Sequence, residues 1–396
     1  MAFVKSSLGK TKAIAKTVLR PLTEGVERLR WASLYSAQHT NLDPEVHIRE
    51  ASQWLMRAQD TGSDRGVAYG TQFGGTFQPS YPETTGYIIC TFLDLAQAYS
   101  EPDYTRRAVE MGLWEADIQM DSGAVMSGKV NPNPKPAVFN SGMVLLGWAA
   151  LYRKTKDERF LRAGNRAADW LISIQEKNGD WVRGNSIYSI PGGTTYNVKA
   201  AWGLAEFGLA AGREDAVQAA VRHAEFTLTR QLPNGWFQGC CLSDLEHPLL
   251  HTIAYTMQGL IGLGILTGRQ NFIAASAKTA DSLLNLMGPD GFIPGRLNRS
   301  MTGAVDWCCL TGSAQTSTVW SDLYLQTKKP SYRDGVSRIN RYLMARHDIS
   351  SPDPAIRGGV PGSWPVWAEY GRLKILNWAT KFFIDALLLE KRISRA

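Results

Sequence analysis

The sequence predicts an all-α protein, an (α/α)6 toroid in which six helical hairpins form an inner ring of helices clad by an outer ring. Three observations lead there. The first is a repeat: Gln59, Gln119, Gln175, Gln231, Met287 and His347 close successive amphipathic segments at separations of 60, 56, 56, 56 and 60 residues. A turn glycine follows the first five, at Gly62, Gly123, Gly179, Gly235 and Gly291. A fixed period of this size marks stacked copies of one supersecondary unit, none of which buries its apolar face alone. The second is that two kinds of helical pattern alternate. The third is that the connections alternate too, short after one kind of helix and long after the other.

The outer helix of the first hairpin is expected over 45–59, behind Pro44, and the inner over 83–99 (ETTGYIICTFLDLAQAY). The second hairpin pairs 103–119, behind Pro102, with 140–152. Proline is tolerated at a helix start, where its missing N–H is no loss. The third pairs 157–175 with 196–211. In 157–175, Phe160, Leu161, Ala167, Ala168, Leu171 and Ile174 recur at helical spacing, with Arg159, Arg162, Arg166 and Asp169 between them. The fourth pairs 215–231 with 251–267, the fifth 272–287 with 311–326, and the sixth 332–347, behind Pro330, with 377–390. The second helix of each pair is apolar on most sides, the mark of a buried helix. Gly142, Gly147, Gly203, Gly208, Gly259, Gly262 and Gly264 lower helix propensity there by about 1 kcal/mol each. Close packing in a crowded inner ring accounts for them. Residues 41–396 form one toroidal domain in this reading, and residues 1–40 a basic amphipathic arm.

The long connections are 60–82, 120–139, 176–195, 232–250, 288–310 and 348–376. In a ring of antiparallel hairpins they all emerge on one face, and long loops in compact domains usually carry function. They hold Tyr69, Phe73, Phe77, Tyr81, Trp181, Tyr188, Trp236, Phe237, Phe292, Trp307, Trp364 and Trp367. A concave, aromatic-lined cleft over the ring centre follows. Such clefts suit sugars, whose C–H faces stack on rings and whose hydroxyls take hydrogen bonds. Some of these aromatics instead pack loops onto the toroid.

Gln175 followed by Gly179-Asp180-Trp181 has the Q-x3-G-x-W form of squalene-cyclase-like toroids, which records hairpin geometry. A more specific match lies in four segments. Ser80-Tyr81-Pro82-Glu83-Thr84-Thr85-Gly86-Tyr87, His251-Thr252-Ile253-Ala254-Tyr255, Cys309-Leu310-Thr311-Gly312-Ser313-Ala314-Gln315 and Asn377-Trp378-Ala379-Thr380-Lys381-Phe382-Phe383 with Asp385 resemble the six-hairpin glycosidase-like proteins of bacterial exopolysaccharide and O-antigen gene clusters. The resemblance spans about 60 to 390. It implies the toroid and a poly- or oligosaccharide substrate. Hydrolases, lyases, epimerases and non-catalytic members share that fold, so it leaves the reaction open.

The matched segments sit where inner helices open onto the long-loop face, and their unsatisfied N–H groups favour anionic or hydroxyl-rich ligands. The positions expected there, one per repeat, are Glu83, Asn140, Tyr196, His251, Thr311 and Asn377. Glu83 and Asp306 are the candidate carboxylate pair of a glycoside hydrolase. Their plain structural roles are a first-turn acid and an N-cap, and Asp244, Glu246 or Glu369 can stand in for either. His251 and Tyr255, four apart on one helix face, suit proton abstraction and leaving-group protonation in a polysaccharide lyase or epimerase acting on uronic acids, or else form a core hydrogen bond. Arg296 and Lys381 are candidate partners of a uronate carboxylate, with a buried Lys381–Asp385 ion pair as the alternative. Tyr81, Tyr87, Asn140, Tyr196, Trp236, Trp307, Gln315 and Trp364 complete the expected substrate-binding set. Hydrolysis is the leading reading; elimination or epimerisation is the alternative, followed by non-catalytic sugar binding.

Residues 1–30 carry seven bases against Glu24 and Glu27, and so five of the net charge of +7. The toroid is nearly neutral, which argues against nucleic acid as a partner. The arm interleaves these bases with Phe3, Leu8, Ile14, Val18, Leu19 and Leu22, a pattern for an anionic membrane surface or for packing across the toroid. No secretory signal or membrane span is legible. The five cysteines, Cys90, Cys240, Cys241, Cys308 and Cys309, lack a disulfide framework, and a reduced, cytoplasmic setting is expected. Without Cys-x2-Cys spacing, a zinc site like that of lanthionine-cyclase toroids is the weaker reading, and neither metal nor cofactor is expected. Phosphate loops, dinucleotide fingerprints and nucleophile elbows are also missing.

Overall fold

Twelve α-helices run from Pro44 to the carboxyl end of the computed structural model, which describes residues 25–395 apart from 28, 31–32, 34, 36–41 and 73–74. They are α1 (Pro44–Asp60), α2 (Pro82–Tyr99), α3 (Pro102–Asp117), α4 (Val138–Thr155), α5 (Glu158–Ser173), α6 (Val198–Ala211), α7 (Glu214–Leu228), α8 (Leu250–Thr267), α9 (Gln270–Leu286), α10 (Leu310–Thr327), α11 (Pro330–Met344) and α12 (Asn377–Ile393). Even-numbered helices pack on one another in order, α2 to α4 to α6 to α8 to α10 to α12 and back to α2. Odd-numbered helices clad them, so the ring is closed. Expected residues 1–24 of the arm and Phe73 lie outside the described residues. No helix among the described residues is long and apolar enough to cross a membrane.

The short turns from inner to outer helix share one device. Ser100, Lys156, Gly212, Gly268 and Lys328 each end an inner helix in the left-handed region, at φ between 56° and 69°. The inner-ring glycines are explained by contact. A Cβ on Gly142 would run into the backbone of Ala200, one on Gly203 into the Gly142 carbonyl, and one on Gly86 into the Val144 backbone. The helices approach backbone to backbone, and that packing offsets the glycines' lost propensity. Trp148 and Trp320 reach from inner helices to the outer-helix carbonyls of Gly112 and Ala280, at 3.0 and 3.1 Å, and with Trp54 and Trp181 they are fully buried.

The repeat markers join neighbouring repeats. Gln175 Nε2 donates to Gly179 O at 3.0 Å in its own turn and to Ala219 O at 2.8 Å on the next outer helix. Gln119 does the same with Gly123 O and Ala163 O, at 2.7 and 2.9 Å. Gly123 and Gly179 have φ of 88° and 91° and lie against backbone carbonyls of the next outer helix, so two constraints demand glycine there. The last marker closes the ring: Nδ1 of His347 shares a proton with Nδ1 of His47 on α1 at 2.8 Å. Closure is reinforced where β1 (Gly70–Gln72) pairs antiparallel with β4 (Lys374–Leu376), bringing the first long loop to the last. A second two-residue pair, β2 (Cys308–Cys309) with β3 (Ser363–Trp364), ties the fifth loop to the sixth.

Candidate active site

In four of the six inner helices the second residue points toward the ring axis on the long-loop face. Glu83, Phe139, His251 and Trp378 hold this position in α2, α4, α8 and α12, and all four line one cavity of about 210 Å³. Loop and helix aromatics complete its wall, among them Tyr69, Tyr81, Tyr188, Tyr196, Tyr255 and Tyr370. The rings interlock: Tyr69 meets Trp378 edge-on at 4.8 Å, Phe139 meets Tyr255 at 4.6 Å, and His251 meets Tyr255 at 4.2 Å between centroids. Trp378 Nε1 donates to Tyr370 Oη at 2.8 Å, which fixes two of the walls. The volume is that of a pocket for roughly one sugar ring, smaller than the open cleft expected from loop composition.

Glu83 is the one carboxylate among the lining residues. Pro82 starts the helix and Tyr81, at its N-cap, donates to Glu83 Oε2 at 2.9 Å. Burial raises the Glu83 pKa to about 7, against the opposing pull of the Tyr81 hydrogen bond and the positive charge of Lys199. Burial also lowers His251 to about 3, so the ring is neutral at physiological pH. Its Nδ1 meets Gln315 Oε1 at 2.6 Å. Tyr255 is pushed well above the usual phenol range, first by burial and then by Glu83.

A larger chamber of about 1060 Å³ lies on the opposite, short-turn face, between the C-terminal halves of the inner helices. Ion pairs occupy much of its wall, Arg153 with Glu206 at 2.6 Å and Lys381 with Asp385. Inner-helix C-termini point there, with partial negative charge. Burial raises carboxyls in both, Asp94 to about 6 and Asp322 to about 7 in the chamber and Glu83 to about 7 in the cavity. The smaller cavity gathers more aromatics and the inner-helix N-termini, and it is the candidate site despite its size.

Of the residues expected at the site, Glu83, His251, Tyr255, Tyr81 and Tyr196 line this cavity. The others are placed elsewhere. Asp306 is exposed on the fifth loop, so the expected Glu83–Asp306 pair does not share the cavity. Asn140 is buried and donates to Met126 O at 2.8 Å, tying down its loop. Asn377 does likewise with Ala68 O. Tyr87 lies one turn below Glu83, with its hydroxyl 3.5 Å from that of Tyr255, and faces the lower chamber. Lys381 also faces that chamber, held by Asp385. Arg296 forks onto Glu369 at 2.6 and 2.9 Å, which commits its guanidinium. Trp236 is buried in the core beneath its own turn. Trp307 packs over Gly295, where a Cβ would collide with its ring. Trp364 lies outside the cavity, 6.0 Å from the Tyr35 ring. Gln315 stands behind His251 as its hydrogen-bond partner.

Phe139, Trp378 and Tyr370 were not expected as site residues. The repeat held the signal for the first: 83, 139, 195 and 251 are spaced by the 56-residue period, so the register of Glu83 and His251 selects Phe139 over Asn140. At the third repeat a 3-10 turn, Thr195–Asn197, shifts the lining residue to Tyr196. The cysteines are all free, and burial raises Cys240 and Cys309 to about 12, which makes them inert thiols. Among the described residues no group of three or more His, Cys, Asp or Glu is placed to hold a metal ion.

No protein-family model and no curated protein matches the sequence. Solved structures do match. An unsaturated glucuronyl hydrolase specific for heparin superposes with a TM-score of 0.72 at 16% identity, over 89% of this chain and 98% of its own. Cellobiose 2-epimerase from Bacillus thermoamylovorans gives 0.70 at 12% identity, over 88% and 97%. A polysaccharide lyase gives 0.63 at 11% identity, over 89% and 97%. At these identities the likeness establishes the (α/α)6 toroid and leaves the chemistry to the site.

Proposed function

We propose that the chain is a carbohydrate-active enzyme, a glycoside hydrolase that cleaves a bacterial poly- or oligosaccharide with Glu83 as proton donor. The observation that carries this reading is a carboxyl group buried in the wall of an aromatic pocket, with a pKa of about 7. Such a group is about half protonated at neutral pH and gives up its proton readily, as a general acid must. Ordinary glycoside hydrolysis uses two carboxylates, and this pocket offers one. A single acid suffices when the sugar is an enol ether, as in the unsaturated uronyl residue for which the glucuronyl hydrolases are named. Glu83 protonates C4 of the double bond, and water adds at C5 and returns a proton to the carboxylate. The resulting hemiketal opens to a ketone and leaves a hemiacetal at C1, which expels the alcohol. The balance is one water consumed and one glycosidic bond broken. An anionic sugar also suits the inner-helix N-termini and the ammonium groups of Lys129 and Lys374, 5.3 and 5.7 Å from the Tyr69 ring.

Elimination or epimerisation with His251 as base is the second reading, favoured by the place of its imidazole on the same wall. Its pKa of about 3 makes it a feeble base and weighs against this reading. Screening unsaturated oligosaccharides beside intact acidic polysaccharides separates the two. Hydrolysis removes the absorbance of the conjugated double bond, and elimination creates it. Hydrolysis abolished in Glu83→Gln and retained in His251→Ala is the expected result; absorbance gained from intact polymer overturns it. From sequence features we further propose a cytoplasmic protein whose residues 1–30 touch anionic membranes. Sedimentation with anionic vesicles that persists after deletion of 1–30 refutes that contact.

A further inference from the structure

Behind His251 a buried chain of polar side chains crosses three inner helices. Two close helix approaches create it. A Cβ on Gly312 would meet the backbone N of His251, and one on Gly259 the backbone N of Lys199. Glycine at both places draws α10 to α8 and α8 to α6, so Gln315, Gln258 and Lys199 come within hydrogen-bond reach.

The protons along this chain follow from its far end. Thr318 Oγ1 spends its only proton on Gln315 O at 2.8 Å. It therefore accepts from Gln258 Nε2, also at 2.8 Å. That turns Gln258 Oε1 the other way, where it accepts from Lys199 Nζ at 2.6 Å and from Gln315 Nε2 at 3.0 Å. With its amide nitrogen committed, Gln315 shows Oε1 to His251 Nδ1 at 2.6 Å. An oxygen there requires Nδ1 to carry the imidazole proton, which leaves Nε2 with a bare lone pair. All five side chains are buried, and Lys199, Gln258 and Thr318 also border the lower chamber. Lys199 has no carboxylate in its hydrogen bonds; it is held by Gln258 Oε1 and by the faces of Tyr255 and Phe382 at 4.5 and 4.4 Å.

We propose that Lys199, Gln258, Thr318 and Gln315 are positioning residues that lock His251 as the Nδ1–H tautomer, making Nε2 a fixed acceptor for a donor hydroxyl of a sugar in the cavity. This rests on the reading of the cavity as the sugar site. The lock itself is a property of the empty protein, so its test does not depend on finding a substrate.

The test is nitrogen NMR of the full chain labelled at histidine, with His251→Ala to assign the signal. In the wild type His251 Nδ1 is protonated and Nε2 is not, with the other tautomer below about a tenth, the population that one amide hydrogen bond holds. Gln258→Met frees the Gln315 amide to rotate, and the Nδ1–H share falls toward about half. Gln258→Glu, which still accepts from Lys199 and Gln315, restores it. Thr318→Val, a smaller change, shifts the tautomer in the same direction as Gln258→Met and serves if that variant does not fold. On an unsaturated glucuronyl disaccharide, Gln258→Met raises KM about tenfold with kcat little changed, since the contact holds bound sugar throughout. A protonated Nε2 in the wild type, or an unmoved tautomer in both Gln258→Met and Thr318→Val, overturns the proposal.

Discussion

Tyr81→Phe removes one hydroxyl and isolates what sets the acidity of Glu83. The phenol donates to Glu83 Oε2 at 2.9 Å, and both groups are buried. Burial alone pushes the carboxyl up; the Tyr81 hydrogen bond pulls it back toward a net value of about 7. A hydrogen bond to an ionised group is worth about 1.5–3 kcal/mol, and one pKa unit is about 1.4 kcal/mol. Losing the donor therefore raises the Glu83 pKa by about one to two units. The sign is fixed, because the carboxylate gains more from a donated proton than the neutral acid does. If Glu83 acts as an acid, activity falls as pH rises through its pKa, and in Tyr81→Phe that fall moves to higher pH. Carbon NMR of labelled Glu83 reads the shift directly, and kcat/KM against pH on an unsaturated disaccharide reads its consequence. A Glu83 pKa that stays put or drops in the variant refutes the account of its acidity. A pKa that moves while the activity limb does not removes Glu83 as the proton donor.

Three further outcomes follow from the same physics. Glu83→Gln is expected to lower kcat about 10²- to 10⁴-fold with sugar affinity within a few fold; comparable loss in affinity and turnover, seen by calorimetry and kinetics, would instead assign Glu83 to binding. Glu115 is fully buried with neither carboxyl oxygen hydrogen-bonded, and burial raises its pKa well above 4.5. The folded chain keeps that proton while the unfolded chain loses it, so Glu115 subtracts up to about 1.4 kcal/mol of stability per pH unit above the ordinary value; Glu115→Gln should flatten the urea-midpoint profile between pH 5 and about 8, and an unchanged slope counts against it. Gln175→Leu removes two side-chain hydrogen bonds, to the Gly179 and Ala219 carbonyls, and should cost about 1–3 kcal/mol in urea unfolding; a change below about 0.5 kcal/mol would make the marker glutamines dispensable.

Periodicity is a property of the chain itself, and it determined the architecture. The markers, the alternation of amphipathic and apolar helices, and the lopsided loops each report local geometry that recurs every 56 to 60 residues, so six hairpins, two rings and a single loop face were legible. The inner-ring glycines pointed to close packing for the same reason. Three of the cavity's ring-facing positions, Glu83, Phe139 and His251, also lay in that period, yet Asn140 drew attention as a polar residue while Phe139 occupied the register; Trp378 falls outside the period, beyond the long sixth loop. Sequence left open which side chains converge, because convergence depends on contacts between residues far apart in the chain. Asp306 and Glu83 are both carboxylates near inner-helix starts, and only the packed loops show that one is buried in the cavity and the other is exposed. Arg296 is a free cation in the sequence and a committed partner of Glu369 in the fold. The pKa of Glu83 and the tautomer of His251 belong wholly to tertiary structure. One is set by the low dielectric of a sealed aromatic wall, the other by a hydrogen-bond chain through Gln315, Gln258 and Thr318, and neither exists until the ring closes and excludes water.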